Sequence, residues 1–328
     1  MATLISCGGA AVDSRDHEQA PDAEASKRTP KASVDYGDFV LAALTSSQTD
    51  HYLDFLRLPT PSKPDLQSLD ALIAAHLEQI PFQSIDTFLG HLESLEASAV
   101  FSKVVVEGRG GNCFELNSLF ARLLLSLGYK VQVRCARIRW AVPEDYPLTP
   151  VDHMVLCVSE GDKEGQGQER LFLVDVGFAG PCPRRAVPLE GDAMPYRLRT
   201  QNDDWAKPIE VSILNQAGQS SCWLPLYQVF AYAHEWPDFM DKSWYFATHP
   251  AVVFRDVLAV SRYEGDCWLT LRNRHFTRRR CTSSGIGVVT ERRLITNMRD
   301  LLSLMGGEFK VKFDPDMDEK LRVKLQLH

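Results

Sequence analysis

Apolar residues recur every three to four positions over residues 45–128 and every second position from residue 129 onward. This change of period predicts a helical N-terminal part followed by a β-rich remainder. Leu69, Leu72, Ile73, His76, Leu77 and Ile80 make one helical face, which Pro81 ends. Leu116, Leu119, Phe120, Leu123, Leu124 and Leu127 make another, which begins near Cys113 and stops at Gly128. Beyond residue 129, Val131, Val133 and Cys135 alternate, and then Ala136, Ile138 and Trp140 continue on the other parity. That phase change predicts a β-bulge or sharp bend near Cys135. Strands at 153–158, 171–178, 196–200, 208–214 and 221–226 complete a small antiparallel barrel. An aromatic-rich connector, irregular or helical, follows at about 228–246. Residues 250–328 mix strands with a helix near Asn297–Met305, ended by Gly306-Gly307. Residues 1–38 are polar, charged and poor in large apolar groups, which predicts a disordered tail. There is no internal repeat.

Composition removes several function classes. A chain of 328 residues buries a large core. A net charge of −7 and a pI near 5.7 count against a nucleic-acid partner. No run of 18 apolar residues exists, so no membrane span is expected. The eight cysteines are scattered, without CxxC pairs, so no metal site is expected. There is no basic-then-apolar secretory signal, and Asp13, Asp16, Glu18, Asp22 and Glu24 argue against a mitochondrial presequence. A reduced, cytoplasmic location follows as the expectation.

The candidate chemistry starts at Arg109-Gly110-Gly111-Asn112-Cys113-Phe114-Glu115-Leu116-Asn117. Two glycines deliver Cys113 to the first turn of a helix, whose partial positive charge stabilises a thiolate and lowers its pKa. The alternative is a small buried cysteine of purely structural value. Downstream, the apolar runs His153–Val158 and Leu171–Phe178 flank a charged, glycine-rich stretch, the pattern of an antiparallel hairpin. Residue 164, the loop midpoint, is equidistant from His153 and Asp175. A symmetric hairpin therefore sets the two directly opposite, with Cβ atoms about 4.5–5.5 Å apart. A one-residue slip would send them to opposite faces. The competing reading is that Asp175 ends a strand and His153 is an ordinary core histidine. An aspartate inside an apolar strand is costly without a partner, which favours pairing. His76, on its apolar helix face, reads as a core histidine, and Cys135, Cys157 and Cys182 as structural. Cys113, His153 and Asp175 together make a catalytic triad. The imidazole takes the thiol proton, the carboxylate fixes the tautomer, and the thiolate attacks an acyl carbon.

The Arg109–Asn117 stretch, with Asp152-His153-Met154-Val155 and Val174-Asp175-Val176-Gly177-Phe178, closely resembles the arylamine N-acetyltransferase family. His76 with Ile80-Pro81-Phe82, Phe239, Thr248-His249-Pro250, Phe254, Arg293-Leu294 and Asn297 to Leu301 extend the likeness over about residues 45 to 315. The long tails and this form of the motif look more like fungal members than bacterial ones. The resemblance implies an α+β, cysteine-proteinase-like fold. Its parts would be a helical bundle (39–128) carrying the nucleophile, an antiparallel β-barrel (129–227), a connector (228–249) and a C-terminal α/β lid (250–328). It further implies a ping-pong reaction in which Cys113 takes an acyl group from acetyl-CoA or malonyl-CoA and passes it to an arylamine or arylhydrazine. The Cys113 N–H and a neighbouring N–H would hold the oxyanion. By the same resemblance Thr149, Pro150, Gly177 and Phe178 border the cofactor. After Gly177-Phe178, however, this chain has Ala179 and then Gly180 where the family usually has glycine directly. Arg109 and Glu115 are expected to form or orient a structural ion pair near the helix start. The basic run Arg272–Arg280 is a solvated face or a seat for a CoA phosphate. A papain- or transglutaminase-like cysteine hydrolase shares the order Cys, His, Asp and is the second reading, and an inert binding protein on the same scaffold is the third. The Arg-Gly-Gly-x-Cys entry favours transfer. Acetyl and malonyl donors differ by a carboxylate, and a nearby arginine or lysine could admit the latter.

Overall fold

Where the apolar period is 3.6 the chain is helical, and the side chains of Thr45, Asp65, Asn112 and Asn297 cap the starts of four helices. In the computed structural model, which describes residues 40–143, 145–160, 170–190, 192–200, 207–217, 220–282, 285–313 and 315–328, there are eight α-helices. They are α1 (Ser46–Leu56), α2 (Leu66–Gln79), α3 (Ile85–Leu89), α4 (Ala97–Phe101), α5 (Cys113–Ser126), α6 (Asp238–Thr248), α7 (Met298–Gly307) and α8 (Pro315–Leu325). The Asp65 carboxylate caps α2 by accepting the Ser68 N–H at 2.9 Å, and Thr45 with Gln48 forms a capping box on α1. A π-helical turn, Ser102–Val106, follows α4. The expected tail at 1–38 and the hairpin loop around residue 164 lie outside the described residues.

The strands are β1 (Phe82–Gln83), β2 (Lys130–Ile138), β3 (His153–Glu160), β4 (Arg170–Val174), β5 (Val187–Pro188), β6 (Asp192–Ala193), β7 (Tyr196–Thr200), β8 (Ile209–Ala217), β9 (Ser220–Val229), β10 (Ala259–Glu264), β11 (Cys267–Arg272), β12 (His275–Thr282) and β13 (Gly285–Leu294). They form one sheet in the order β1-β10-β11-β12-β13-β8-β9-β2-β3-β4-β5, with β7 on β8 and β6 on β7. All pairings are antiparallel except β13 with β8, where Ile286 faces Asn215. The barrel expected from 129–227 does not close. Its strands run β7-β8-β9-β2-β3-β4-β5, and among the described residues no ladder joins β5 back to β7. Pro188 in β5 has no N–H to offer a further strand. The sheet instead continues through β13 into β10–β12.

Two apolar cores flank it. Tyr52, Leu72, Phe120 and Leu123 from α1, α2 and α5 meet Val155, Leu156 and Leu173 of β3 and β4. Leu269, Leu271 and Phe276 of β11 and β12 meet Leu301, Met305 and Leu321 of α7 and α8. His76 lies in the first core, its Nδ1 2.7 Å from the Tyr52 hydroxyl and its ring 5.2 Å from that of Phe120.

Two sequence expectations fail locally. No bulge occurs near Cys135, since β2 keeps an unbroken register on β3 from Lys130↔Ser159 to Ala136↔His153. The phase change has another cause: Val133 to Ala136 are buried on both faces where β2 passes from β3 to β9. Register offsets lie instead between β8 and β9, at Val211/Ser212, and between β12 and β13, at Arg278/Arg279 and Arg279/Cys281. Helix α7 also runs through Gly306 and Gly307 rather than stopping before them. Phe309, fully buried just beyond, holds that turn by bonding back to the Leu304 carbonyl at 3.2 Å.

Candidate active site

The position of Cys113 follows from its neighbours in sequence. Gly110 has φ +69°, and a Cβ there would lie 2.4 Å from the Pro81 carbonyl oxygen, so only glycine fits. This close approach lets Gly111 accept the Gln83 N–H at 2.9 Å and ties the turn to β1. Asn112 then caps α5. Its Oδ1 accepts the N–H groups of Phe114 (2.9 Å) and Glu115 (3.1 Å), while Glu115 Oε2 accepts the Asn112 N–H at 2.9 Å. At the far end the Gly128 and Tyr129 N–H groups return to the carbonyls of Leu125 and Leu124, closing the helix.

Beneath this cap lies a network of charges, and its pairing corrects one expectation. The cation on Glu115 is Lys103, at 2.7 Å, rather than Arg109. Arg109 pairs with Asp86 (3.0 Å) and Glu107 (3.5 Å), and Lys103 also bonds Asp86 at 2.7 Å. The π-helical turn carries Lys103, which makes it a partner that the motif itself does not announce. Glu93 Oε2 accepts the Asn112 amide at 2.7 Å. Loss of water and the neighbouring Glu115 charge push the Glu93 carboxyl upward.

His153 opens β3, and its Nε2 lies 2.7 Å from Asp175 Oδ2, with both side chains buried. They are not directly opposite. Leu156 faces Val174 and Cys157 faces Leu173, a register that extends to Val155 opposite Asp175, two residues along from His153. A two-residue offset preserves the face, so the pair meets on the diagonal. β4 also stops at Val174, short of the expected 178. Beyond it the backbone is held by side chains: the Val176 N–H donates to Asn117 Oδ1 (3.0 Å) and the Gly177 N–H to Asp175 Oδ1 (3.0 Å). Asn117 Nδ2 donates to Asp175 Oδ1 at 2.9 Å and to the Met154 carbonyl at 2.7 Å, joining α5 to β3 and to the Asp175 turn. Burial opposes the charge on Asp175, but His153, Asn117 and the Gly177 N–H outweigh it and hold the carboxyl below its usual range.

Gly177 packs against the first turn of α5. A Cβ there would lie 2.8 Å from Cys113 Cα and from Asn117 Nδ2. Phe178 is buried with its ring 5.6 Å from that of His153, and the Tyr227 ring lies 5.2 Å from both. Gly177 and Phe178 thus form the wall behind the pair. Thr149 Oγ1 donates to the Ile138 carbonyl at 2.8 Å, and its own carbonyl accepts Arg137 at 2.5 Å. Pro150 is exposed, and with Val151 it faces Asp241, Lys242, Trp244 and Tyr245 of α6 across an open cleft of about 530 Å³.

The thiol donates toward the Asp152 carbonyl at 3.7 Å. Burial pushes the Cys113 thiol well above its ordinary value, the Asp152, Asp175 and Glu93 carboxylates add to that, and the Phe114 N–H opposes it. The expectation of a pKa lowered by the helix start is therefore overturned: one turn of dipole does not offset full burial among three carboxylates. The residues missed in the sequence are Asn117, Lys103 and Asp152. Asn117 had a signal, being polar one helical turn after Cys113 and inside an apolar stripe. Among the described residues, no group of three His, Cys, Asp or Glu side chains is placed to hold a metal.

An N-acetyltransferase family model matches residues 65–317. The arylamine N-acetyltransferase of Mycolicibacterium smegmatis is 34% identical over 231 residues, 68% of this chain and 79% of that protein. The Escherichia coli arylamine N-acetyltransferase is 27% identical over 272 residues, 81% of this chain and 89% of that one. The structure of Mycobacterium marinum arylamine N-acetyltransferase in complex with CoA superposes with a TM-score of 0.73 at 28% identity, covering 84% of this chain and 98% of that one. The match takes in the Arg-Gly-Gly-x-Cys turn, β3 and the Asp175 turn together, so the chain belongs to the arylamine N-acetyltransferase family of acyltransferases.

Proposed function

We propose that this chain moves an acetyl group from acetyl-CoA to an arylamine or arylhydrazine by a ping-pong reaction through a thioester on Cys113, with His153 and Asp175 completing the triad. The observation that carries the reading is the buried 2.7 Å His153–Asp175 pair, which Asn117 ties to the helix that starts at Cys113. The CoA complex of the Mycobacterium marinum relative supports acyl-CoA as the donor. Because Asp175 holds Nε2, His153 Nδ1 is the nitrogen left to take the thiol proton. The sulfur attacks the donor's thioester carbon, the Cys113 N–H and a neighbouring N–H hold the oxyanion, and the CoA thiolate leaves with the proton from the imidazolium. In the second half the uncharged amine attacks the Cys113 thioester, its proton passes to His153, and the thiol is regenerated. The cleft beside Thr149 and Pro150 is the approach for donor and acceptor. Gly177 and Phe178 serve this site by holding its back wall, since both are buried.

Acetyl-CoA mixed with the enzyme in the absence of amine tests this. One equivalent of CoA released per enzyme, with one acetyl mass added to Cys113, is the expected result. No adduct on Cys113 would end the transferase reading. An adduct lost to water as fast as to an arylamine would favour the cysteine hydrolase.

A further inference from the structure

Glu93 has no part in the triad, yet it holds the residue next to the nucleophile. Its Oε2 accepts the Asn112 amide NH2 at 2.7 Å, and its Oε1 meets the Thr87 hydroxyl at 3.1 Å. Asn112 is fully buried, and its amide has one orientation open to it. With the NH2 on Glu93, Oδ1 turns to the N–H groups of Phe114 and Glu115. A second carboxylate, Glu115, accepts the main-chain N–H of Asn112 at 2.9 Å. Two carboxyl side chains therefore grip the residue that precedes Cys113.

Only one of the two has a cation. Around Glu93 stand Glu115 of α5, Lys103 of the π-helical turn and Asp86 of α3, with Arg109 and His91 beside Asp86. Lys103 pairs with both Asp86 and Glu115, and Arg109 with Asp86, so two cations already balance two carboxylates and Glu93 is the surplus acid. Its oxygens meet an amide and a hydroxyl, which suits the protonated form. The acid proton goes to the Thr87 oxygen, and the carbonyl oxygen accepts from Asn112. Loss of water and the Glu115 charge push its pKa up to about 8.

We propose that Glu93 is a positioning residue for Cys113: uncharged, it locks the Asn112 amide and with it the first turn of α5, and its ionisation loosens that turn by setting two carboxylates against each other across Asn112. The inference rests on the thioester reading above and adds a residue and a pH dependence to it.

Single-turnover acylation by acetyl-CoA from pH 6.5 to 9.5, with a melting curve for each protein, tests this in the wild type, Glu93→Ala, Glu93→Gln, Asn112→Ala and the Glu93→Ala/Asn112→Ala double variant. At pH 7 Glu93→Ala is expected to acylate about tenfold more slowly, the scale of one buried donor left without its acceptor. Glu93→Gln presents an oxygen to Asn112 and an NH2 to Thr87, as the protonated acid does, and should restore the rate to within about threefold of wild type. In the Asn112→Ala background, Glu93→Ala should cost no more than about twofold, because its route to Cys113 is gone. The wild-type rate should fall on the alkaline side with a midpoint near pH 8, and Glu93→Gln should lack that fall. An alkaline fall shared by the wild type and Glu93→Gln overturns the inference. So does a Glu93→Ala rate within twofold of wild type, or a tenfold loss repeated without Asn112. If the alanine variants do not fold, the pH profiles of the wild type and Glu93→Gln decide. If wild-type Cys113 takes no acetyl group, the thioester reading falls, and alkylation of Cys113 by iodoacetamide over the same pH range decides on Glu93 by the same comparison.

Discussion

Asp175→Asn removes one charge while keeping the shape, and its outcome can be worked out from three hydrogen bonds. Asp175 Oδ1 accepts from Asn117 Nδ2 (2.9 Å) and the Gly177 N–H (3.0 Å), and Oδ2 meets His153 Nε2 (2.7 Å). An asparagine can turn its oxygen toward the two donors, which leaves its NH2 facing Nε2. Nε2 must then accept, the ring proton moves to Nδ1, and the histidine can no longer take a proton from the thiol. The opposite orientation keeps the working tautomer but sets the NH2 against two buried donors, at about 1–3 kcal/mol each. The wrong tautomer therefore wins by roughly 2–6 kcal/mol, which at about 1.4 kcal/mol per decade leaves a competent fraction on the order of 10⁻² to 10⁻⁴. Acylation by acetyl-CoA should fall by the same factor, on the order of the loss known for the corresponding change in serine triads. The assay is single-turnover CoA release with adduct mass, alongside a melting curve to show that the variant is folded. A folded Asp175→Asn enzyme within tenfold of wild type would refute the tautomer argument.

Other expectations concern stability. Gly177→Ala puts a methyl 2.8 Å from Cys113 Cα, a backbone atom that cannot swing aside, so a loss of about 1–3 kcal/mol and a Tm several degrees lower are expected; an unchanged melting curve would contradict the close packing. Lys103→Met strips the cation from buried Glu115 beneath the Asn112 cap and leaves Asp86 with Arg109, and should cost about 3–5 kcal/mol by urea denaturation. A midpoint near wild type would show that those carboxyls are protonated or hydrated instead. His76 is fully buried, and loss of water pushes its pKa down from 6.5 to about 3. Its folded pKa lies below the unfolded one, so its contribution is complete above about pH 6.5 and is lost as pH falls toward 3. Between pH 7 and 5 that amounts to about 2 kcal/mol. His76→Gln should flatten that part of the stability curve, and equal slopes in the two proteins would count against it.

The start of α5 was legible because its causes are local. Asn112 and Glu115 are three apart, as a capping box requires, and the stripe from Leu116 to Leu124 needs only the helical period. The face shared by His153 and Asp175 was legible too, because parity along a strand survives any even offset. The offset itself was not, since it depends on where β4 ends. Asn117 decides that by supplying the Val176 N–H with a side-chain acceptor.

By itself, then, the sequence determined which residues face which way along each element and the order Cys113, His153, Asp175, because helical and strand periods are properties of a few consecutive residues. Tertiary structure alone decided that Lys103 rather than Arg109 neutralises Glu115, that the sheet stays open beyond Pro188, and that the Cys113 thiol is raised rather than lowered. Each of these depends on groups far apart in the chain brought together in a medium poor in water. Charges and hydrogen bonds there act over distances that no local pattern records.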